Sequence, residues 1–292
     1  MTVTSLNLTG KIDPLIAELL AAAAQVAERE GVEFFVAGAA ARDLVLEHGF
    51  GMKSRRATLD VDLACSIPDW GAYARFQAAL TGTGAFAPVS GIAHRLTYRG
   101  GALTVDIVPF GGLEKPPGEI AWPPDFATRM GVTGFTDVHD HCIRVNVSAG
   151  IVVKVVSLPG FAILKLIAWS ERKDQTTRDG ADIGFLCRHY GPACTYMRLT
   201  GEDYDVLGVE DYDVGRAGVR LLGRDMAALM RTGTRARVLS VLAAELADAS
   251  GHRLALTIAG RAQDEEVFNH ALETLRLLRA GIEDVGEKQA SG

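Results

Sequence analysis

One stretch of the chain, residues 33 to 64, restricts the possible folds more than any other. It reads as an apolar strand at residues 33–37, a turn at Gly38, a short helix, a basic loop and a second apolar strand that contains Asp60 and Asp62. Because side chains two apart on a strand point to the same face, the two carboxylates are expected side by side. The packing of a buried strand does not require such a pair. The stretch therefore predicts a strand–turn–helix–strand unit with an acidic site on its second strand.

Two further observations favour the binding of a metal and a phosphate at this site. A glycine between a strand and a helix, here Gly38, leaves backbone amides unpaired at the positive end of the helix, where a phosphate can lie. A third carboxylate, Asp106, interrupts the apolar strand Leu-Thr-Val-Asp-Ile-Val, and its burial is costly unless it is paired or bound to metal. The structural alternatives are a plain tight turn at Gly38 and a salt bridge or an edge position at Asp106.

The composition is that of a folded protein and not of a dedicated nucleic-acid binder. Hydrophobic residues make up 48% and charged residues 23% of the 292 residues, which is enough for a full core. The net charge of −6 restricts any contact with nucleic acid to a local patch. The N-terminus lacks a secretion signal, no apolar run is long enough to span a bilayer, and the four cysteines lack CxxC spacing. We therefore expect a cytoplasmic protein with reduced thiols and no membrane partner.

The distribution of strand and helix patterns predicts two domains. The first half contains two hairpins, at residues 94–110 and 143–156, whereas everything after the second hairpin looks helical. This pattern predicts an α+β fold, with a core domain at residues 1–157 followed by a helical domain at residues 158–292. The Pro- and Gly-rich residues 111–124 are expected to form a surface excursion.

Two clusters in the chain have both a structural and a functional interpretation. Arg216, Arg220 and Arg224 recur every fourth residue and form one stripe of a predicted helix that follows an acidic loop. The stripe is either a solvated face partly neutralised by that loop or a surface that contacts the phosphate backbone of RNA. The run DVHDHC at residues 137–142 contains the side chains that bind zinc. No second group of ligands accompanies it, and the segment leads into a strand, so a metal site is not the favoured interpretation.

Two blocks of the sequence resemble known nucleotidyltransferases. The pattern Gly-x-x-x-Arg-Asp that begins at Gly38, and the pattern Arg-x-Thr-x-Asp-x-Asp that ends at Asp62, resemble the nucleotidyltransferase fold of the DNA polymerase β superfamily. The first pattern is also similar to the head motif of the CCA-adding tRNA nucleotidyltransferases. Lys165, Arg172 and the run 178–182 resemble the K-L-x-A…R…R-D-x-x-D signature of AbiEii-type nucleotidyltransferases, the toxin halves of phage-defence and toxin–antitoxin pairs. The resemblance implies a polymerase-β-like mixed sheet with flanking helices, followed by a helical domain.

The resemblance covers roughly residues 30 to 190 and implies a role for each matched residue. Asp60 and Asp62 are implied to hold two Mg²⁺ ions, or Mn²⁺ in their place, and Asp106 to share one ion and lie near the acceptor hydroxyl. Lys165 is implied to neutralise the triphosphate and Asp182 to complete the catalytic pocket. The structural alternatives are a solvent-facing lysine and an ion pair that braces two helices. The residues implied to bind the nucleotide are Gly38, Ala39, Arg42, Arg56, Thr58 and Lys165.

Three functions remain open from the sequence. The first is a metal-dependent nucleotidyltransferase toxin whose partners are an NTP, a tRNA 3′ end or a protein side chain as acceptor, and a cognate antitoxin. The second is a small-molecule nucleotidyltransferase of the antibiotic-modifying type, which the net acidic charge favours. The third is a nucleotide-binding protein with weakened catalysis, which Ala39 favours because the superfamily usually has serine or glycine there.

Overall fold

The computed structural model describes residues 4–52, 60–247, 251–260 and 264–290. These residues form two compact units, of which the first ends at Ser157 and the second begins at Leu158. The described strands all lie in the first unit, and the described elements of the second unit are helices. The predicted fold, a mixed sheet with flanking helices followed by a helical region, is confirmed.

The described part of the first unit contains ten strands. They are β1 (Ser5–Asn7), β2 (Glu33–Ala37), β3 (Asp60–Ser66), β4 (Phe86–Pro88), β5 (Arg95–Tyr98), β6 (Leu103–Phe110), β7 (Glu119–Ala121), β8 (Arg129–Gly131), β9 (Ile143–Ser148) and β10 (Ile151–Val155). Eight of them form one sheet in the order β1-β9-β10-β2-β3-β6-β5-β4, and β7 pairs with β8. In the large sheet β1–β9, β10–β2 and β3–β6 are parallel pairs and the others are antiparallel. The sheet is therefore mixed.

The centre of this sheet is the core of the first unit. Phe35 and Val36 on β2 and Leu63 on β3 are fully buried, as expected for strands with neighbours on both sides. On β6 the buried Val105 and Ile107 alternate with residues that are half-exposed. Because alternate residues face opposite sides, one face of β6 is accessible to solvent where Asp106 lies.

Helices flank the sheet, and two of them begin at an aspartate side chain that caps them. Helix α1 (Pro14–Glu30) starts where the Asp13 carboxylate accepts a bond from the amide of Leu15 at 2.7 Å, and it ends at Gly31, whose φ is +66°. The other helices of the unit are α2 (Gly38–Arg42), which continues as π-helical turns at Asp43–Gly49, α3 (Trp70–Gly82) and α4 (Phe135–His139). Helix α1 contacts α3 and the strands β9, β10 and β2. Helix α1 thus covers part of the sheet with its buried apolar residues.

The second unit is helical, and a buried carboxylate joins three parts of it. Its helices are α5 (Leu158–Arg172), α6 (Arg178–His189), α7 (Tyr196–Leu199), α8 (Tyr204–Val209), α9 (Val214–Leu229), α10 (Thr232–Leu246), α11 (Arg253–Ala259) and α12 (Glu265–Ala290). Glu245 on α10 is 1% exposed. It accepts bonds from Trp169 Nε1 at 3.0 Å and Lys173 Nζ at 2.6 Å, and from the amide of Leu254 at 3.1 Å. This carboxylate therefore links α10 to α11 and to the end of α5.

The local predictions agree with the structure except in one segment. Both hairpins form as expected, β5 with β6 and β9 with β10. The interpretation of residues 111–124 as a surface excursion is wrong in part, because the segment contains β7 and buries Ile120 and Trp122. The apolar residues of this segment follow no long periodic pattern, so the local sequence does not indicate that Ile120 and Trp122 are buried. None of the described helices is long and apolar enough to cross a membrane.

Candidate active site

Three carboxylates line one face of the sheet where β3 and β6 run side by side. The register of this parallel pair places Asp62 next to Asp106 and Asp60 next to Thr104. Directly paired residues of neighbouring strands share a face, and residues two apart on one strand do as well. Asp60, Asp62 and Asp106 therefore form one acidic row, which is the arrangement that the alternation of residues predicts.

Gly38 lies against this acidic row and has no room for a side chain. Its φ is +63°, a left-handed conformation that glycine adopts without strain. A Cβ atom added to Gly38 would lie 1.8 Å from Oδ2 of Asp62 and 2.8 Å from its Cγ. Glycine is thus required by both the backbone and the Asp62 carboxylate. The sequence indicated the turn, but not the contact.

Asp106 is held by an arginine that the sequence analysis missed. Arg95 on β5 is the direct cross-strand partner of Asp106. Its Nε and Nη2 atoms donate to Oδ1 and Oδ2 of Asp106, both at 2.7 Å, as a two-pronged pair. This bonding, reinforced by the charges of Asp60 and Asp62, raises the pKa of the Arg95 guanidinium. The salt-bridge interpretation of Asp106 is therefore realised on the same face as the acidic row.

The chemistry of the acidic row fits a divalent metal, although the side chains are turned to other partners. Carboxylate oxygens are the ligands that Mg²⁺ prefers, and Arg95 stands in as a cation beside them. Among the described residues, no three His, Cys, Asp or Glu side chains are placed to hold a metal ion as they stand. Asp62 lies on Gly38 and Asp106 bonds Arg95. Metal binding at the row thus requires side chains to turn.

The remaining predicted nucleotide contacts of the first unit divide into two groups. Arg42 is 9% exposed and donates to Oδ1 of Asp43 from Nε at 2.8 Å and from Nη2 at 2.7 Å, beside the half-buried Ala39. Its guanidinium is engaged with its neighbour in the chain. Arg56 and Thr58 lie outside the described residues.

Lys165 lies in a buried cluster of charges in the second unit. Its Nζ is 2.9 Å from Oδ1 of Asp179 and 2.7 Å from Oδ2 of Asp182, so it links α5 to α6. Arg172 also donates two bonds to Asp179, at 2.6 and 2.8 Å. Burial alone would raise the pKa of Asp179, but the bonds and charges of Arg172 and Lys165 outweigh it and lower that pKa. Asp182 and Lys165 meet as the sequence suggested, in the form of an ion pair between helices.

Asp179 is the centre of this cluster, a role that the sequence did not assign to it. Its side chain is fully buried, whereas those of Lys165 and Asp182 are 11% and 12% exposed. Asp179 stands beside Arg178 in the R-D-x-x-D run. Residues three apart on a helix share a face, so the sequence could have indicated that Asp179 lies beside Asp182.

The arginine stripe of α9 is not a free basic surface. Arg220 bonds Asp284 through Nε at 2.9 Å and Nη2 at 2.7 Å, and Arg224 bonds the same carboxylate at 2.7 Å. Arg216 and Arg220 both bond the buried Glu210, at 2.9 Å. The stripe therefore ties α9 to α12 and to the acidic loop. These contacts favour the structural interpretation, a face neutralised by the acidic loop, because the charge of the three side chains is already compensated.

The DVHDHC run borders a separate cleft of about 660 Å³ in the first unit. His139 Nε2 is 3.1 Å from a Glu33 carboxylate oxygen, which also accepts from Lys154 at 2.6 Å. Burial raises the pKa of the Cys142 thiol to about 12, so this cysteine is a thiol at neutral pH. No metal cluster occurs at this run within the described residues.

The fold and the acidic row together define a class of enzyme, the nucleotidyltransferases, and comparison with known proteins gives the family. The family described as "Nucleotidyl transferase AbiEii toxin, Type IV TA system" matches residues 18–205. Since this match spans more than half of the chain, the protein belongs to the AbiEii nucleotidyltransferase toxin family. The resemblance noted from the sequence is therefore confirmed.

Solved structures of nucleotidyltransferases show limited similarity to the chain. The antibiotic-resistance factor ANT(2'')-Ia is 14% identical, with 69% of this chain and 98% of that chain covered and a TM-score of 0.39. A CCA-adding enzyme solved in complex with ATP is 17% identical, with 97% of this chain and 72% of that chain covered and a TM-score of 0.28. Comparison with curated proteins gives no match.

Proposed function

We propose that the protein transfers a nucleoside monophosphate from an NTP to a hydroxyl group, and that the transfer depends on divalent metal. One observation carries the proposal, the row of Asp60, Asp62 and Asp106 on a half-exposed face beside Gly38. Three carboxylates in a row repel one another, and a fold that places them so needs cations there. The family membership supplies the chemistry for which such a row is suited.

Each residue of the row has a distinct part in the proposal. Asp60 and Asp62 would hold the metal, which supplies charge to stabilise the attacking and leaving oxygens of an in-line displacement when bound. Asp106 would share the metal and accept the proton of the acceptor hydroxyl or favour its loss. Gly38 keeps the backbone close to Asp62, so that no side chain stands between the carboxylate and the turn.

Lys165 and Asp182 enter the proposal as a charge pair and not as a free lysine. Because Lys165 is bonded to two carboxylates, its positive charge is compensated and attracts a triphosphate only weakly. We propose that the pair with Asp182 yields to the triphosphate while Arg172 keeps Asp179 neutralised. Lys165 would then exchange the Asp182 carboxylate for the triphosphate when the nucleotide binds.

The acceptor is the least constrained part of the proposal. The compensated arginine stripe removes the one extended basic surface that the sequence offered to tRNA. This observation favours a second candidate, a protein or small-molecule hydroxyl acceptor in place of an RNA 3′ end. A cognate antitoxin as partner follows from the family alone.

The test is a matrix of nucleotides against acceptors. Each of the four NTPs, labelled at the α-phosphate, is incubated with the protein and Mg²⁺ in the presence of total tRNA, a protein extract or a set of aminated small molecules. The proposal expects label in one acceptor class, dependent on one or two nucleotides and abolished by chelation of the metal. Label in no acceptor class, with all NTPs recovered intact, would refute it.

A further inference from the structure

The side chain that holds Asp106 is as informative as the carboxylate itself. Arg95 bonds both oxygens of Asp106, so both metal-binding atoms of that residue are engaged by a cation of the protein. The Asp106 side chain is 14% exposed and the Arg95 side chain 36% exposed. One end of the pair is therefore sheltered by the sheet, and the other reaches solvent.

Arg95 lies on the same face of the sheet as the acidic row. It is the direct cross-strand partner of Asp106, which in turn is paired with Asp62. Directly paired residues share a face, so the guanidinium lies on the face of all three carboxylates. A cation at this place offsets the repulsion among the carboxylates when no metal is present.

We propose that Arg95 is a resident counter-ion of the acidic row, which occupies Asp106 in the absence of metal and is displaced when a divalent ion binds. The inference rests on the proposed metal-dependent function and adds to it a residue that sets the metal affinity. Binding of metal to Asp106 must break two charge-assisted hydrogen bonds. The opposite role, in which Arg95 positions Asp106 for the metal, predicts the opposite effect of its removal.

The test measures the binding of Mn²⁺ without nucleotide, from the electron paramagnetic resonance signal of the free ion. Arg95→Gln removes the cation and is expected to tighten Mn²⁺ binding about two- to fivefold, the range for loss of a partly exposed competing ion pair. Arg95→Lys keeps the charge but not the two-pronged geometry, and its affinity should lie between those of the other two. Arg99→Gln is the matched control, because Arg99 lies on the same hairpin and pairs with the exposed Glu18 at 3.2 Å.

Thermal unfolding gives an independent readout. Without metal, Arg95→Gln should unfold at a lower temperature than the wild type, because the carboxylates have lost a counter-ion. Saturating Mn²⁺ should raise its unfolding temperature more than that of the wild type, because the metal then compensates a less screened row. Arg99→Gln should show neither effect.

Each outcome decides the inference. Unchanged or weaker Mn²⁺ binding in Arg95→Gln overturns it, and the proposed function still stands if wild-type binding is lost in Asp62→Asn. Absence of Mn²⁺ binding in both the wild type and Arg95→Gln overturns the inference together with the proposed metal dependence. Tighter binding in Arg95→Gln that Asp62→Asn abolishes in the same background supports both.

Discussion

Replacement of Gly38 by alanine tests the geometry of the candidate site, because it adds two separable costs: backbone strain and a clash with the Asp62 carboxylate. A left-handed backbone costs alanine about 1–2 kcal/mol relative to glycine. The new Cβ would also stand 1.8 Å from Asp62 Oδ2, which forces the carboxylate off its rotamer at a further cost of about 0.5–1.5 kcal/mol. Gly38→Ala should therefore destabilise the first unit by about 1.5–3.5 kcal/mol.

Gly31→Ala is the matched control for this prediction. Gly31 has nearly the same φ, +66°, but an added Cβ there would meet no atom within 4 Å. It should carry the backbone cost alone, about 1–2 kcal/mol. In an Asp62→Ala background the excess cost of Gly38→Ala over Gly31→Ala should vanish, because the Cβ of Asp62 is 3.4 Å from the added atom and in tolerable contact.

The assay is hydrogen exchange of peptides from β2 and β3, measured by mass spectrometry, which reports the opening free energy of that part of the sheet. A double-mutant cycle of Gly38→Ala and Asp62→Ala then gives the coupling between the two positions. Coupling of zero, or Gly38→Ala no more destabilising than Gly31→Ala, would refute the reasoning that the Asp62 carboxylate rests on the glycine.

Two further predictions concern the second unit. Lys165→Ala should lower the free energy of unfolding of this unit by about 2–4 kcal/mol, because it removes the cation that Asp179 and Asp182 share. Lys165→Arg should recover part of this loss. An unchanged midpoint of urea unfolding in Lys165→Ala would contradict the ion-pair role. Burial alone would raise the pKa of Asp284, but its arginine bonds lower it below the ordinary 3.8, so its stabilisation is present above pH 3.8 and is lost as the pH falls further. Between about pH 5 and pH 2, circular dichroism should show less loss of stability in Asp284→Asn than in the wild type or the surface control Glu283→Gln; equal losses would exclude Asp284 as a source of acid lability.

The acidic row could be predicted from sequence because it follows from a period of two residues. Asp60 and Asp62 share a face on any strand, and Asp106 stood out as a charge in an apolar run. The order of strands was not available from the sequence, but family resemblance gave the fold. These features need only local pattern and one motif.

Arg95 and the Gly38 contact could not be predicted because both depend on register. Arg95 meets Asp106 only if the hairpin turn at Arg99–Gly101 sets the pairing that the structure has. A shift by one residue would turn Arg95 to the opposite face. The meeting of Gly38 with Asp62 depends in the same way on the pairing of β2 with β3, two strands that α2 and the residues after it separate in the chain.

Charge patterns were the least reliable guide, because a sequence does not say which opposite charge is near. The stripe on α9 has its strongest partner, Asp284, some 60 residues away on α12. The sequence analysis assigned a role to Asp182 and none to Asp179, although both Lys165 and Arg172 bond the fully buried Asp179. Helical periodicity identified the faces but not the partners.

The most direct test of the central claim compares two positions of label in one NTP. Transfer of a nucleoside monophosphate moves an α-phosphate label to the acceptor and releases the γ-phosphate label in pyrophosphate, whereas phosphoryl transfer moves the γ-phosphate label to the acceptor and leaves the α-phosphate label in the nucleoside diphosphate. The account predicts α-label in the acceptor for the wild type and for Asp125→Asn, which changes an exposed carboxylate that accepts from the amide of Ala127, and a loss of at least about 100-fold for Asp62→Asn. Transfer of the γ-label, or undiminished transfer of the α-label by Asp62→Asn, would contradict it.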